Sequence, residues 1–210
     1  MVVLGLDTCL DACSAAVVEG GRTLARAAEP MSRGHQERLA PLAEMVVAQA
    51  GLAFNRIARV GVTVGPGSFT GLRVGLAFAK GLGQALDIPV VGVGTLTALA
   101  YGLPGLAVAA IDARRGQVYL QIFEAGSPLT PPEALSLEAA FACLAEVVGA
   151  SPFALVGSGA ALIAPSAPNA SVVSPAWADP AAVARIAAGR DATPPRPLYL
   201  RAPDARLPTP

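Results

Sequence analysis

The chain has 210 residues, and its 15 basic and 15 acidic side chains leave no formal net charge. This length suits one large domain or two small lobes, and the balanced charge without a basic run argues against tight RNA binding by this chain alone. The cysteines at 9, 13 and 143 are an odd set without close pairing, which favours a reducing cytoplasm over a disulfide framework.

Strands followed by a helix are predicted for the first fifty residues. Apolar or alternating runs give strands at 2–6, 14–18 and 23–28, and a helix follows at about 34–50. Asp7 interrupts the N-terminal apolar stretch and no basic region precedes it, so we expect no targeting segment there.

A glycine-rich turn follows the next predicted strand, at 60–64, and leads directly into a helix. That helix contains glycine at positions 71, 75, 81 and 83. Glycine costs about 1 kcal/mol in a helix interior relative to alanine, so several in one helix indicate that another backbone comes close. Ser68 or Thr70 can cap the helix. The turn either cradles a phosphate or forms a structural corner, but it is not a Walker A loop, because no Gly-Lys-Ser/Thr follows.

The second half of the chain repeats the pattern with which the first half begins. Residues 2–19 align without gaps on 107–124, which places Asp7 on Asp112 and predicts a second strand–aspartate–turn–strand unit. The other predicted elements are a strand at 90–93, helices at 95–101, 137–148 and about 180–189, and a strand at 154–156.

This order of elements predicts an α/β fold of two lobes, with mixed sheets, helices on their faces and a reduced second lobe. We expect an N-terminal lobe at 1–104, a smaller lobe at 105–193 and an extended proline-rich tail at 194–210. The helix at about 180–189 is expected to pack back on the first lobe. The apolar region at 88–111 is broken by prolines and glycines, so a buried strand and helix explain it better than a membrane span.

Five motifs occur in a fixed order along the chain. They are Leu4-Gly5-Leu6-Asp7-Thr8, Ser32-Arg33-Gly34-His35-Gln36-Glu37-Arg38-Leu39, Gly65-Pro66-Gly67-Ser68-Phe69-Thr70-Gly71-Leu72-Arg73-Val74-Gly75, Ile111-Asp112-Ala113-Arg114-Arg115-Gly116-Gln117-Val118-Tyr119 and Pro197-Leu198-Tyr199-Leu200-Arg201. Together they resemble the TsaB/YeaZ family, the non-catalytic partner subunit of the bacterial tRNA threonylcarbamoyladenosine machinery. The resemblance is weakest between about 126 and 176.

Nucleotide-binding positions are implied by resemblance as well. Two lobes that each open with strand–aspartate–turn–strand resemble the actin, sugar-kinase and Hsp70 superfamily, whose corresponding turns bind phosphate and adenosine. The matching positions here are Asp7, Thr8, Asp112, Gly157 and Gly159. ATP or ADP would then bind at the junction with the catalytic subunit. The alternative is that these are ordinary strand-terminal turns, which favour Asp, Gly and Ser in any case.

Metal ligands are missing where the family's catalytic paralogue has them. The resemblance implies a His-x-x-x-His pair on the helix after Gly-Val in that paralogue, and Thr95 and Leu99 stand at those positions here. A hydroxyl and an isobutyl group cannot replace two imidazoles, so we expect neither a metal site nor catalytic residues. Cys9 and Cys13 are too few for a structural zinc site. His35 is expected to cap or pack at the start of its helix.

Two predicted helices, at 34–50 and after the glycine-rich turn, are apolar on two sides. A surface helix of a monomer shows about one apolar stripe, so one side is available to a partner unless both helices are internal. The resemblance implies that they pair with the same two helices of the catalytic paralogue. The predicted interface comprises Leu39, Leu42, Met45, Val46, Gly71, Arg73, Val74, Gly75 and Phe78. Without that partner we expect a homodimer through the same surface.

The function implied by the resemblance is that of a cytoplasmic accessory subunit. It would support threonylcarbamoyl transfer to the adenosine next to the anticodon (position 37) of tRNAs that read codons beginning with A. A small P-loop ATPase is implied as a further partner, and no membrane is involved. Two other hypotheses stay open: an autonomous ATP-dependent transferase or kinase, and a glycoprotease, which the missing histidine pair argues against.

Overall fold

The computed structural model describes residues 1–174 and 176–201, which form two β-sheets with helices on their faces. The first lobe contains β1 (Val2–Asp7), β2 (Ala12–Glu19), β3 (Arg22–Pro30), α1 (His35–Gln49), β4 (Arg59–Thr63), α2 (Phe69–Leu86), β5 (Val90–Val93) and α3 (Thr95–Ala100). The second contains β6 (Leu106–Arg114), β7 (Gln117–Glu124), β8 (Ser127–Pro128), β9 (Glu133–Ser136), α4 (Leu137–Val147), β10 (Phe153–Val156), α5 (Ala160–Ile163) and β11 (Ala170–Val173). Helix α6 (Pro180–Ala188) follows the second lobe.

The first sheet has the strand order β3-β2-β1-β4-β5. The meander β1–β3 is antiparallel, and β4 and β5 continue the sheet in parallel with β1. Parallel neighbours need a crossover, which α1 and α2 supply. This is the mixed sheet that the sequence predicts.

The second sheet has the order β11-β10-β6-β7-β8, and β9 pairs with the first residues of β7, whereas β8 pairs with its last two. Its β6–β7 hairpin corresponds to the β1–β2 hairpin, and β10 lies parallel to β6. The predicted two-lobed α/β class is therefore confirmed. The short elements β8, β9, α5 and β11 were not predicted, because two- to four-residue elements carry too little periodicity to be recognised.

Helices cover both faces of the first sheet. Helices α1 and α2 enclose an apolar core on one face, and α6 packs on the other. The contact with α6 is so close that a Cβ on Gly5 would collide with the carbonyl of Pro180, and one on Gly61 would lie 2.6 Å from Cβ of Ala187. After the second lobe, the chain therefore returns to the first lobe, where α6 covers the remaining face of the first sheet.

Helix α3 lies where the two lobes meet. An apolar cluster formed by Leu10, Leu96, Leu99, Ile111, Phe123, Val156 and their neighbours joins this helix and the turn after β1 to the second sheet. We call this set the interlobe cluster. It fills the junction between the lobes with hydrocarbon.

Side chains cap the N-termini of α2, α4 and α6. Ser68, rather than Thr70, caps α2 by accepting a hydrogen bond from the backbone N–H of Gly71 at 3.2 Å. Asp179 caps α6 through the N–H of Ala181, as predicted. Across residues 1–174 and 176–201, no helix combines the length and the apolar character needed to cross a membrane.

Candidate functional site

The glycine-rich motif at 65–75 and the tail motif at 197–201 pack against each other. The N–H of Leu198 donates to the carbonyl of Val64 at 2.7 Å, and a Cβ on Gly65 would lie 2.7 Å from the carbonyl oxygen of Leu198. Two motifs separated by more than a hundred positions therefore form one surface. The sequence reveals each motif but not their contact.

An aromatic pair stands at the exposed end of this contact. The rings of Phe69 and Tyr199 have centroids 5.5 Å apart, and the guanidinium of Arg73 lies 3.7 Å above the Phe69 ring. The Nε of Arg73 is 3.4 Å from the Tyr199 hydroxyl. Both rings remain about half exposed, at 49% and 47%. Exposed aromatic rings beside a cation are suited to recognition of another molecule.

Two glycines of α2, Gly71 and Gly75, face the turn after β1. A Cβ on Gly71 would collide with the carbonyl oxygen of Thr8, and one on Gly75 would lie 2.5 Å from its hydroxyl. The hydroxyl of Thr8 also donates to the Gly71 carbonyl at 2.7 Å. The close backbone approach that Gly71 and Gly75 permit is therefore internal, and their role at a partner interface stays a prediction.

Asp7 is completely buried at the end of β1. Its Oδ1 accepts hydrogen bonds from the Thr63 hydroxyl at 2.6 Å and from the N–H of Cys9 at 3.1 Å. Burial raises the pKa of the Asp7 carboxyl from 3.8 to about 6, and these hydrogen bonds oppose that rise. Within the described residues, Oδ2 of Asp7 and the hydroxyls of Ser14 and Thr95 are buried without a hydrogen-bond partner.

The candidate nucleotide residues fall into two groups. Asp7 and Thr8 have no exposed surface in this conformation, and nucleotide binding at these two residues stays a prediction. Gly157 and Gly159 pack directly on Ala110 of β6, and the N–H of Asp112 donates to the hydroxyl of the intervening serine at 3.1 Å. Close backbone packing thus explains both glycines. Nucleotide binding near Asp112 stays a prediction.

The two positions that correspond to metal ligands in the paralogue carry a hydroxyl and an isobutyl side chain, and both are buried. Thr95 is fully buried and Leu99 is 6% exposed within the interlobe cluster. No cluster of three or more potential metal-ligating side chains occurs in the part of the chain that the structure describes. The residues present therefore do not fit a metal ion at this place.

Cys9 and His35 are also buried. Burial raises the pKa of the Cys9 thiol to about 12, so the reactive thiolate is scarce near neutral pH. His35 begins α1 and is buried, with Nε2 3.3 Å from the carbonyl oxygen of Leu10. A packing role at the helix start agrees with this position.

Five of the nine predicted interface residues on α1 and α2 are buried within the chain itself. Among them, Leu39, Leu42 and Val46 have at most 1% exposure and pack in the core on the inner side of α1, so their burial gives the predicted partner role no support. The second apolar side of α1, which includes Ala43 and Val47, is buried as well. An internal explanation therefore accounts for much of the two-sided apolar pattern.

A smaller apolar surface remains on the outside of the two helices. Met45, Val74 and Phe78 are half-buried and Arg73 is exposed, so these four predicted residues remain available to a partner. Exposed small residues lie beside them. We define the docking surface as Pro41, Met45, Ala48, Val74, Ala77, Phe78 and Gly81. Its use by a partner stays a prediction.

Comparison with known proteins gives a consistent family. A family model described as TsaD, tRNA N6-adenosine threonylcarbamoyltransferase, matches residues 28–132. The tRNA threonylcarbamoyladenosine biosynthesis protein TsaB of Haemophilus influenzae is 39% identical over 124 residues, 57% of this chain and 52% of that protein. The matched region thus spans about half the length of this curated relative. The uncharacterized protein Rv3421c of Mycobacterium tuberculosis is 35% identical over 215 residues, 97% of this chain and 93% of that protein.

A solved structure extends the similarity to nearly the whole chain. YeaZ from Pseudomonas aeruginosa is 27% identical, with a TM-score of 0.78 over 95% of this chain and 99% of that one. Sequence motifs, family model and fold agree. The chain belongs to the TsaB/YeaZ family.

Proposed function

We propose that this chain is an accessory, non-catalytic subunit in tRNA threonylcarbamoyladenosine biosynthesis. It docks on a metal-bearing TsaD-like paralogue and supports threonylcarbamoyl transfer to the adenosine next to the anticodon. The observation that carries this proposal is that two buried residues, Thr95 and Leu99 of the interlobe cluster, stand where the paralogue's ligand pair is expected, and neither side chain can replace an imidazole. Membership of the TsaB/YeaZ family indicates the pathway. The junction between the lobes does not fit a metal ion, which supports an accessory rather than a catalytic role in that pathway.

The docking surface supports a partner of similar architecture. It combines half-buried Met45, Val74 and Phe78 with small exposed residues, so a second pair of helices can approach closely. Exposed apolar patches on two neighbouring helices are unfavourable in water and mark interaction sites. We expect the catalytic paralogue to occupy this surface in the complex and a second copy of the chain to occupy it in isolation.

The nucleotide and the ATPase belong to the assembled complex in this proposal. Asp7 and Thr8 are enclosed, so the chain lacks an open phosphate turn at that position in its described conformation. ATP or ADP would instead meet the Asp112 side of the second lobe at the junction with the catalytic subunit. A small TsaE-like P-loop ATPase would act on the same assembly.

Reconstitution tests the proposal. Transfer of the threonylcarbamoyl group to unmodified tRNA should require both this chain and the catalytic paralogue, and the purified chain alone should show neither transfer nor ATP turnover. Full modification by the paralogue without this chain would refute the accessory role. ATP turnover by the lone chain, abolished by substitution of Asp112, would favour the autonomous kinase or transferase instead.

A further inference from the structure

The tail connects the aromatic pair to the β6–β7 turn. Tyr199 packs beside Phe69, and two residues later Nη1 of Arg201 donates to the carbonyl of Ala113 at 2.6 Å. Two residues of extended chain span about 7 Å, so the aromatic rings and the turn are close neighbours. The turn itself presents Arg114 and Arg115, both exposed.

Arginines from three separate segments are thereby brought to one edge of the molecule. They are Arg73 on α2, Arg114 and Arg115 in the β6–β7 turn, and Arg201 in the tail. We call them the arginine strip. The chain as a whole has no formal net charge. The strip forms because arginines from separate segments lie close together in space, and not because the sequence contains a long basic run.

The turn holds its arginines in an unusual backbone conformation. Arg115 and Gly116 form the two-residue turn, with φ of 55° and 70°, and Arg114 beside them has φ of 64° at a register shift. Left-handed positions in such turns favour Asn, Asp and Gly. Backbone held in a sparsely populated conformation tends to occur at functional sites, and the two exposed side chains presented here are arginines.

Arg114 is held only loosely by its own chain. Its Nη1 lies 3.2 Å from Oδ2 of Asp112, and its side chain is 77% exposed. Ion pairs this exposed contribute little, so a stronger anion can take the place of the carboxylate. A phosphate group is such an anion, because guanidinium groups bind it through two parallel hydrogen bonds.

We propose that the arginine strip binds the sugar–phosphate backbone of tRNA, while Phe69 and Tyr199 stack against an unpaired base. This inference rests on the proposed function, which makes tRNA the substrate of the assembly. Base stacking on exposed aromatic rings and backbone contacts by arginine are the usual means of holding single-stranded RNA. The strip adds to the RNA-binding surface of the complex and is weak by itself.

The test replaces Arg114 and Arg115 without harming the turn. In the double variant Arg114→Asn/Arg115→Asn, both positions receive a residue that tolerates left-handed backbone, so the melting temperature should stay level or rise. The matched control, Arg22→Asn/Arg56→Asn, removes the same charge from exposed positions on the first lobe, away from the β6–β7 turn.

Binding of an unmodified tRNA transcript is measured by fluorescence anisotropy over a series of salt concentrations. The full chain is titrated alone and together with the catalytic paralogue. Each lost phosphate contact lowers the slope of log affinity against log salt by about 0.7–0.9, so the double variant should lose about 1.4–1.8. The control should keep the wild-type slope.

The slope in a well-folded double variant decides the proposal. An unchanged slope, or an equal loss in the control, overturns it. Loss of paralogue capture with an unchanged tRNA slope also overturns it and makes the strip a protein contact. The arm with the chain alone needs no partner, so failure of the accessory role in reconstitution is distinguishable from failure of the strip.

Discussion

The hydroxyl of Thr8 donates to the carbonyl of Gly71 at 2.7 Å, which fastens the first turn of α2 to the turn after β1. The contact is possible because Gly71 has no side chain. Any Cβ at this position would collide with the carbonyl oxygen of Thr8. The glycine-rich motif therefore serves the internal packing of the first lobe. Its exposed neighbours, rather than the glycines, face outward.

Gly71→Ala should destabilise the folded chain by about 1–3 kcal/mol, because the added methyl group forces the helix away from Thr8. Gly81→Ala is the matched control. The described residues leave open space at Gly81, and its φ is not left-handed, so alanine there should stabilise by about 0.5–1 kcal/mol. Urea unfolding followed by circular dichroism measures both. Equal stability of the two variants would contradict the packing role.

The sequence predicts the first lobe well because its signals are local. Strand alternation, the Ser68 cap and the Asp179–Pro180 helix start each depend on a few neighbouring residues. The direction in which each face of α1 points is not local. A helix that packs on a sheet and also beside α2 buries two apolar sides within one chain, so the pattern alone cannot separate a partner surface from a core.

Spatial convergence explains what the sequence could not predict at the candidate site. Arg201 is remote from Arg115 in the sequence, and only the tail's path across Val64 brings it to Ala113. The enclosure of Asp7 likewise depends on Thr63 from another strand. Motifs identify residues that matter, but their exposure depends on how distant segments pack.

Ala77→Glu should weaken association through the docking surface. Ala77 is exposed on α2, so glutamate, a good helix former, should leave the monomer fold intact. In a closely packed interface it would bury an unpaired carboxylate, which costs at least about 1–3 kcal/mol, or roughly 5- to 150-fold in affinity. Isothermal titration with the paralogue and light scattering of the chain alone measure the effect.

Ala142→Glu makes the same chemical change at an exposed position of α4 in the second lobe and is the control for Ala77. It should leave paralogue affinity and the self-association of the chain unchanged. If Ala77→Glu folds normally and binds the paralogue as tightly as the control does, the outer face of α1 and α2 is not the interface.

The free energy of unfolding should depend on pH between about 4 and 6 because of the Asp7 carboxyl. Burial raises the pKa of this carboxyl to about 6 in the folded state, against 3.8 as the reference value, so the folded state binds the proton more tightly. The contribution of Asp7 to the free energy of unfolding is therefore fully present below about pH 4 and is lost as the pH rises through 6. A difference of about two pKa units corresponds to roughly 3 kcal/mol.

Asp7→Asn removes this proton linkage while keeping an oxygen that can accept from Thr63 and Cys9. The difference in unfolding free energy, variant minus wild type, should rise with pH between about 4 and 6 and then level off. Urea unfolding at a series of pH values measures that difference. A difference that stays flat over this range would show that the Asp7 carboxyl is not protonated more tightly in the folded protein.

Thr95→Val and Leu99→Ala together separate a packing role from a chemical one. The Thr95 hydroxyl is buried without a hydrogen-bond partner among the described residues, so valine of similar shape should be neutral or stabilise by about 1 kcal/mol. Leu99→Ala opens a cavity in the interlobe cluster and should destabilise by about 2–5 kcal/mol.

The transfer activity of the same variants is the second readout. If these positions only pack, Thr95→Val should sustain wild-type threonylcarbamoyl transfer in the reconstituted assembly at saturating paralogue. Leu99→Ala should then lose transfer only in proportion to its unfolded fraction. Melting temperature and single-turnover transfer measured on the same samples separate the two effects. A stable Thr95→Val variant that abolishes transfer would mean that this hydroxyl takes part in the reaction, and the accessory role would have to be abandoned.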